Sequence, residues 1–421
     1  MSPINSDPGQ TPPAVDGNPA KDKEQLDLEK MYQEGKRPLC PCRKPGVQMY
    51  IAKFGERYIV KRMPESGKLH APKCDHYEPP PELSGLGDVL GSAIKENIEN
   101  GMTMLRFDFS LMKVSSNPIQ NKGGEEGDSV KTDGNKLSLR STLHYLWEEA
   151  GFNKWSPAMV GKRSWAVVRK HILKSAETKM VKGAGLTEKL YIPEIFSTDK
   201  KQAINQRRTA LLSRITAGRG SARQLGMLIG AVKDILPSRY GHKIMFKHSP
   251  DFPFMLNDDI YERLQKRYAN ELELKEAFDT SNLIAIATFG VSSAGVASIE
   301  EISLMLVTEN WIPYEDVLEK TLIETLTSKN RRFVKGLRYN LSPSKPLASV
   351  VLSDTLPLPT AMYIVPAESE EKFTTRLDAL KADSLLASWT WFASEFEMPG
   401  VPPAASPNVH ASDPALPSTL I

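Results

Sequence analysis

All three cysteines of this 421-residue chain lie between positions 40 and 74, and two of its seven histidines flank the last of them. The phrases are Cys40-Pro41-Cys42 and, further on, His70-Ala71-Pro72-Lys73-Cys74-Asp75-His76. Zinc is held by four N and S donors in a tetrahedron. A cysteine pair on one knuckle and a Cys/His pair on a second is how short segments supply such a set. Between the pairs, the pattern predicts strands over Gln48 to Phe54 and Arg57 to Arg62, with a turn at Gly55-Glu56. A hairpin of this kind brings both knuckles to one end. Cys40, Cys42 and Cys74 are then the sulfur ligands. His70, three residues and a proline bend away from Cys74, is the preferred fourth, with His76 in reserve. A closed sphere of four leaves no position for water, so the expected ion is a structural Zn2+. Its binding would contribute folding energy to a module too small to stand alone. Ordinary buried thiols are the alternative, against which the clustering of every cysteine argues.

Charge is the second constraint. The chain carries 54 Lys+Arg against 51 Asp+Glu, a net +3. Positions 136 to 243 hold 21 basic and 7 acidic residues, and positions 36 to 75 hold 10 and 3. Subtracting both excesses leaves −18 for the rest of the chain. Two basic blocks in an acidic chain predict a surface that faces a polyanion, most simply nucleic acid, with DNA favoured over RNA. The candidate phosphate contacts are Lys44, Lys61 and Arg62 in the first block. In the second they are Lys162, Arg163, Arg169, Lys170, Arg207 and Arg208. A solvated face balanced by acidic neighbours is the plainer alternative.

The rest of the pattern predicts an α+β chain, with the small zinc-stabilised hairpin module followed by mixed α/β domains. Residues 1–35 and 399–421 are rich in Pro and small polar residues and predict disordered tails. Residues 36–82 form the module, 83–298 a basic mixed region with a mobile loop at 117–135, and 299–398 a last α/β domain. Thr142 to Gly151 predicts a short helix. Ser156-Pro157 opens a longer basic helix to about Lys182, and the pair could form a helix-turn-helix. Further helices are expected over Lys201 to Ile215, Asp258 to Phe278 and Glu315 to Leu326. Strands are expected over Gly226 to Ile235, Leu283 to Phe289, Ile302 to Thr308, Ala348 to Leu352 and Ala361 to Val365. No apolar run reaches the roughly 20 residues of a membrane span. The first residues lack a basic, then apolar, leader. Both point to a cytoplasmic protein without membrane contact.

With these phrases in view, the chain resembles a bacterial family of unknown function encoded on plasmids and integrative conjugative elements. The resemblance rests on LCPCRKPGVQMYIAKFGERYIVKRMPESGKLHAPKC, the W-S-P-x-M-V-G-K-R segment, MLVTENWIPYEDVLEKTL, NRRFVKGLRYNL and VVLSDTLPLPTAMYIV. It implies a role in a mobile genetic element, with a possible protein partner from the same element, and no known reaction. It also favours His70 over His76. The last third looks like a degenerate PD-(D/E)xK nuclease core. There the expected acid and lysine positions hold Ala348, Ser349, Met362, Tyr363 and Ile364. With no set of carboxylates for Mg2+, no catalytic residue is assigned.

No G-x-x-x-x-G-K-[ST] phrase is present, and His144, His171, His242 and His248 have no spacing that suggests a triad. The leading expectation is a non-catalytic nucleic-acid-binding accessory protein with a structural zinc site. A divergent Mg2+-dependent nuclease using Asp354 and Glu319, and a structural subunit binding another protein, are the alternatives.

Overall fold

The computed structural model describes residues 19–114, 134–216, 222–395 and 397–405. It is a mixed α/β protein with the hairpin at its N-terminal side. Strands Val47–Phe54 and Arg57–Arg62 pair antiparallel, closing at Phe54 opposite Arg57. The short strand Leu39–Cys40 adds to the outer edge, with Cys40 opposite Val47.

The helix Pro19–Gln33 corrects the expectation of a disordered tail over residues 1–35, of which 1–18 lie outside the described residues. Its own composition buries little, and the hairpin supplies what it lacks. The Gln25 amide donates to the Tyr58 carbonyl at 3.1 Å and accepts from the Tyr58 N–H at 2.8 Å. The Tyr58 hydroxyl donates to Glu29 at 3.1 Å, and Tyr32 packs on the Tyr58 ring. At the other end, part of the expected C-terminal tail is also placed. Trp389 Nε1 donates to the Gly400 carbonyl at 3.0 Å, and the Ala405 N–H donates to the Asp354 carbonyl at 2.7 Å. Residues 406–421 and most of the expected mobile loop lie outside the described residues.

A closed ring of five strands forms the centre. We label them β1 (Gly226–Pro237), β2 (His242–Phe246), β3 (Ser249–Leu256), β4 (Asn282–Val291) and β5 (Ala297–Val307). β1 pairs with β2, and β2 with β3, both antiparallel. β3 runs parallel to β5, which pairs antiparallel with β4. β4 then returns to β1, with Gly226 opposite Phe289 and Ala231 opposite Ile284. The order 1-2-3-5-4-1 is that of a five-stranded Greek-key barrel of OB type. Helices Asp258–Arg267 and Ala269–Ala277 connect β3 to β4, contributing Ile260, Leu264, Tyr268 and Leu274 to the core that fills the ring. The expected single helix over this stretch breaks at Tyr268. The domain boundary expected between 298 and 299 falls inside β5, so the barrel runs across it.

Gly226 to Val232 of β1 and Leu283 to Phe289 of β4 are buried on both sides, so these stretches read in sequence as continuous apolar runs. Leu228, Val232, Ala285 and Phe289 face the ring interior, while Met227, Ile229, Ile284 and Ile286 face a second core. That second core receives helix Leu139–Glu149, capped by Ser138, and helix Trp165–Ala176. The expected long helix from Ser156 is instead a single turn, Pro157–Met159, a break at Gly161 (φ +68°) and then Trp165–Ala176. A strand, Lys154–Trp155, lies between the two helices and pairs with Phe333–Lys335, so no helix-turn-helix is built.

The last sheet has the order Ala387–Phe392, Thr360–Val365, Val350–Leu352, Phe333–Lys335 and Lys154–Trp155, with only the first pair parallel. Helix Val317–Ser328, capped by the Asp316 carboxylate, packs Leu322, Ile323 and Leu326 into the same core as the barrel interior. Among the described residues, no helix is long and apolar enough to cross a membrane.

One carboxyl in this frame gives a pH-dependent prediction. The Tyr339 hydroxyl donates to Glu148 at 2.7 Å, and burial pushes the Glu148 carboxyl up to about 7 from 4.5. Its folded value is raised, so its contribution is complete below pH 4.5 and is lost as pH rises through 7. Glu148→Gln is therefore expected to raise stability at pH 8, by about 1 kcal/mol given partial access to solvent, and to do nothing at pH 4. Thermal melts at the two pH values check it; equal shifts at both would refute the assignment.

Candidate metal centre and basic surface

The hairpin builds the metal centre from both of its ends. Cys40 sits on the edge strand, and Cys42 lies in the turn that leads back to Val47. His70 follows the single turn Gly67–Leu69 as its C-terminal cap, and the Cys74 N–H donates to the Ala71 carbonyl at 2.8 Å. The four donor atoms of Cys40, Cys42, His70 and Cys74 lie within 4.8 Å of one another. Cys40 Sγ is 3.7 Å from Cys74 Sγ. His70 Nδ1 is 3.4 Å from Cys42 Sγ and 3.8 Å from Cys74 Sγ. A tetrahedral zinc, with bonds of about 2.3 Å to sulfur and about 2.0 Å to nitrogen, requires S···S of about 3.8 Å and S···N of about 3.5 Å. The donors are therefore spaced to hold a metal ion.

The electrostatics agree with that spacing. The Ala71 N–H donates to Cys42 Sγ at 3.4 Å, and the His76 N–H donates to Cys74 Sγ at 3.4 Å. Such bonds stabilise thiolates. Without a cation, burial pushes the Cys74 thiol up to about 11. Burial also takes His70 down to about 4, with His76 and Arg62 adding to the effect, so its imidazole is neutral and free to ligate. His76 is outside the four-donor set. It contributes its backbone N–H, and its ring lies tilted against His70 at 5.4 Å between centroids.

The basic candidates divide into three groups. Arg163 is a structural tie. It donates to the carbonyls of Phe152 (3.2 Å), Asn310 (3.0 Å), Gly151 (3.1 Å) and Lys154, and lies over the rings of Phe152 and Trp155. Burial takes its guanidinium down to about 10. Arg208 is buried and bonds Ser249, Asp251 and Asn205. These two do not face a phosphate, because carbonyls and carboxylates distant in sequence use up their donors. Arg207 is bidentate on Glu194 at 2.9 and 2.8 Å, and Arg169 donates to the Ile192 carbonyl at 3.0 Å. Lys61 pairs with Glu96 at 3.2 Å, and Arg62 with Glu78 at 2.5 Å. Lys44, Lys162 and Lys170 are exposed, with no ion pair among the described residues.

The two basic stretches of sequence meet in space. Lys154, from the second, donates to the carbonyls of Asp75 (3.2 Å) and Tyr77 (3.1 Å) beside the metal knuckle. A cavity of about 340 Å³ lies at this junction, lined by Cys74, Tyr77, Trp155, Lys162, Arg163 and Arg332 among others. Asp354 and Glu319, the two carboxylates named for a nuclease, are committed elsewhere. Asp354 is bidentate on Arg331 at 3.0 and 2.7 Å, and Glu319 pairs with Lys335 at 2.9 Å.

The model of a family described as proteins of unknown function (DUF1173) matches residues 18–394. No curated protein and no solved structure matches the chain.

Proposed function

The chain belongs to the DUF1173 family of proteins of unknown function, and from that premise we propose that it is a non-catalytic nucleic-acid-binding accessory protein of a mobile element, held at its N-terminal side by zinc. Three cysteine sulfurs and one imidazole within 4.8 Å of one another are soft donors that suit zinc, and a set of four protein ligands would make the site structural. The observation that carries nucleic-acid binding is the meeting of the two basic stretches. Lys154 ties the second to the knuckle, Lys162 lines the same cavity as Lys154 and Cys74, and exposed Lys44 and Lys73 lie within two positions of the ligands Cys42 and Cys74. None of these three exposed lysines has a carboxylate partner among the described residues. Phosphates would supply the counter-charge. The mobile-element part rests on the resemblance carried by the sequence phrases alone; on this reading the molecule works in the cytoplasm with a protein partner from the same element.

This reading predicts affinity for DNA that falls steeply with salt, since bound phosphates release counterions. Lys162→Ala, at an exposed position, should weaken binding of all sequences alike and lower the salt slope by about 1. Fluorescence anisotropy across a salt series measures both. Absence of binding to any DNA or RNA at low salt would overturn the proposal.

A further inference from the structure

The barrel has one open wall. Gly226 to Val232 of β1 and Leu283 to Phe289 of β4 are buried at every position, because the second core covers their outer side. β2 and β3 differ. Ile244, Phe246, Phe254 and Leu256 point into the ring. Lys243, Met245, Pro253 and Met255 alternate with them and stay partly exposed. Lys243 stands directly opposite Met255 on this outer wall.

The turn between β1 and β2 carries the most exposed large hydrophobic side chain among the described residues, Tyr240, at 77%. An exposed tyrosine costs solubility and contributes nothing to the core. Arg239 is exposed beside it, with its guanidinium 5.4 Å from the Tyr240 ring centroid. Tyr240 also lines a cleft of about 660 Å³ that runs to the loop joining β4 and β5. Arg223, Met255, Asn257, Ser292 and Ser293 line the same cleft. Its carboxylate, Glu300, is paired with Lys113 at 2.7 Å. Arg223, Arg239 and Lys243 make no ion pair among the described residues, so the cleft and its rim have unbalanced positive charge.

In barrels of this topology, the wall of the second and third strands and the loops after the first and fourth form the surface open to a chain-like ligand. Here that same wall is the uncovered one, and those same loops bound the cleft. We infer that the β2–β3 wall and the Tyr240 turn seat single-stranded nucleic acid, with a base stacked on Tyr240 and phosphates on Arg239, Arg223 and Lys243. The inference deepens the nucleic-acid reading above and rests on it. A duplex keeps its base faces stacked internally and offers none to an exposed ring, so the seat selects single strands.

The test uses the full-length protein and labelled oligothymidylate, oligouridylate and duplex probes of about 15 nucleotides, near the upper end of the roughly 4–16 nucleotides that one such barrel covers. One of the single strands is expected to bind more tightly than the duplex, and the better of the two identifies DNA or RNA as the source. Tyr240→Ala should weaken single-strand binding about tenfold, and Tyr240→Phe, which keeps the stacking face, should restore it. Equal binding of single strand and duplex, or single-strand affinity within about twofold of the parent in both Tyr240→Ala and Lys243→Ala, overturns this seat. If Lys162→Ala still lowers the salt slope in that case, the nucleic-acid reading stands without it. If none of the probes binds, both fall together.

Discussion

Removing the metal is expected to unfold the N-terminal knuckle while the barrel stays folded. Native mass spectrometry should show one zinc per chain, and a strong chelator should remove it with loss of protection around Lys44, Lys68 and Lys73, which limited trypsin digestion reads. Structural zinc sites in small modules bind with an apparent free energy of about 10–16 kcal/mol, and that energy is folding energy wherever the apo site does not hold together. Here the apo site would bring three thiols and a buried imidazole into one space without the ion that draws them together. His70 is fully buried, and its Nε2 has no hydrogen-bond partner among the described residues. Cys74→Ser and His70→Ala should therefore both lose the ion and lower the first melting transition by many degrees. His76→Ala should keep full zinc content, because its ring is outside the donor set. Cobalt substitution adds a spectroscopic check, since a tetrahedral thiolate site gives intense visible bands. A metal-free, folded and chelator-indifferent protein would falsify the assignment.

The ease with which this site is read from sequence, and the difficulty of the rest, have one cause. Metal donors must come within a few ångströms of a single point, and this chain supplies them from 35 consecutive positions with one hairpin between. Local chemistry thus determines local geometry. The helix Val317–Ser328 is legible for the same reason, because Asp316 caps it from the adjacent position. The barrel is not. Its closure depends on β1 pairing with β4 across a stretch that includes two helices, and on a parallel contact of two residue pairs between β3 and β5. No period in the sequence encodes which run closes on which. The cations fail for a related reason. Arg163 reads as a phosphate contact because it stands with Lys162, Arg169 and Lys170 in the expected basic helix, yet one of its acceptors is Asn310, 147 positions away. Tyr240, the residue that matters most to the proposed single-strand seat, sits in a short turn with no motif at all. Only its exposure beside an open wall singles it out.

The second large effect is expected at Lys335, whose replacement by methionine should destabilise the protein by about 3–5 kcal/mol. Lys335 Nζ donates to Glu319 at 2.9 Å and to the Gly336 carbonyl at 2.6 Å, and both charged side chains are almost completely buried. Glu319 also accepts the Glu315 N–H at 2.9 Å, which fixes the first turn of its helix. Burial pushes the Glu319 carboxyl up, and Lys335 opposes that push. Burial acts on Glu315 in the same sense, but Arg338 and Lys335 overcome it and hold that carboxyl at about 2. Methionine would thus leave one buried carboxylate without its cation, beside a second that stays ionised. Denaturant unfolding at pH 7 measures the loss. Two further results separate an uncompensated charge from simple mispacking. First, the loss should shrink as pH falls and Glu319 takes up a proton, because the neutral acid needs no partner. Second, Lys335→Met combined with Glu319→Leu should recover most of the loss, since an apolar pair of similar volume removes both desolvation costs. If the double variant were no more stable than the single one, and the loss were flat with pH, the pair would be acting through shape alone. The ionic account of how this helix is anchored to the last sheet would then be wrong.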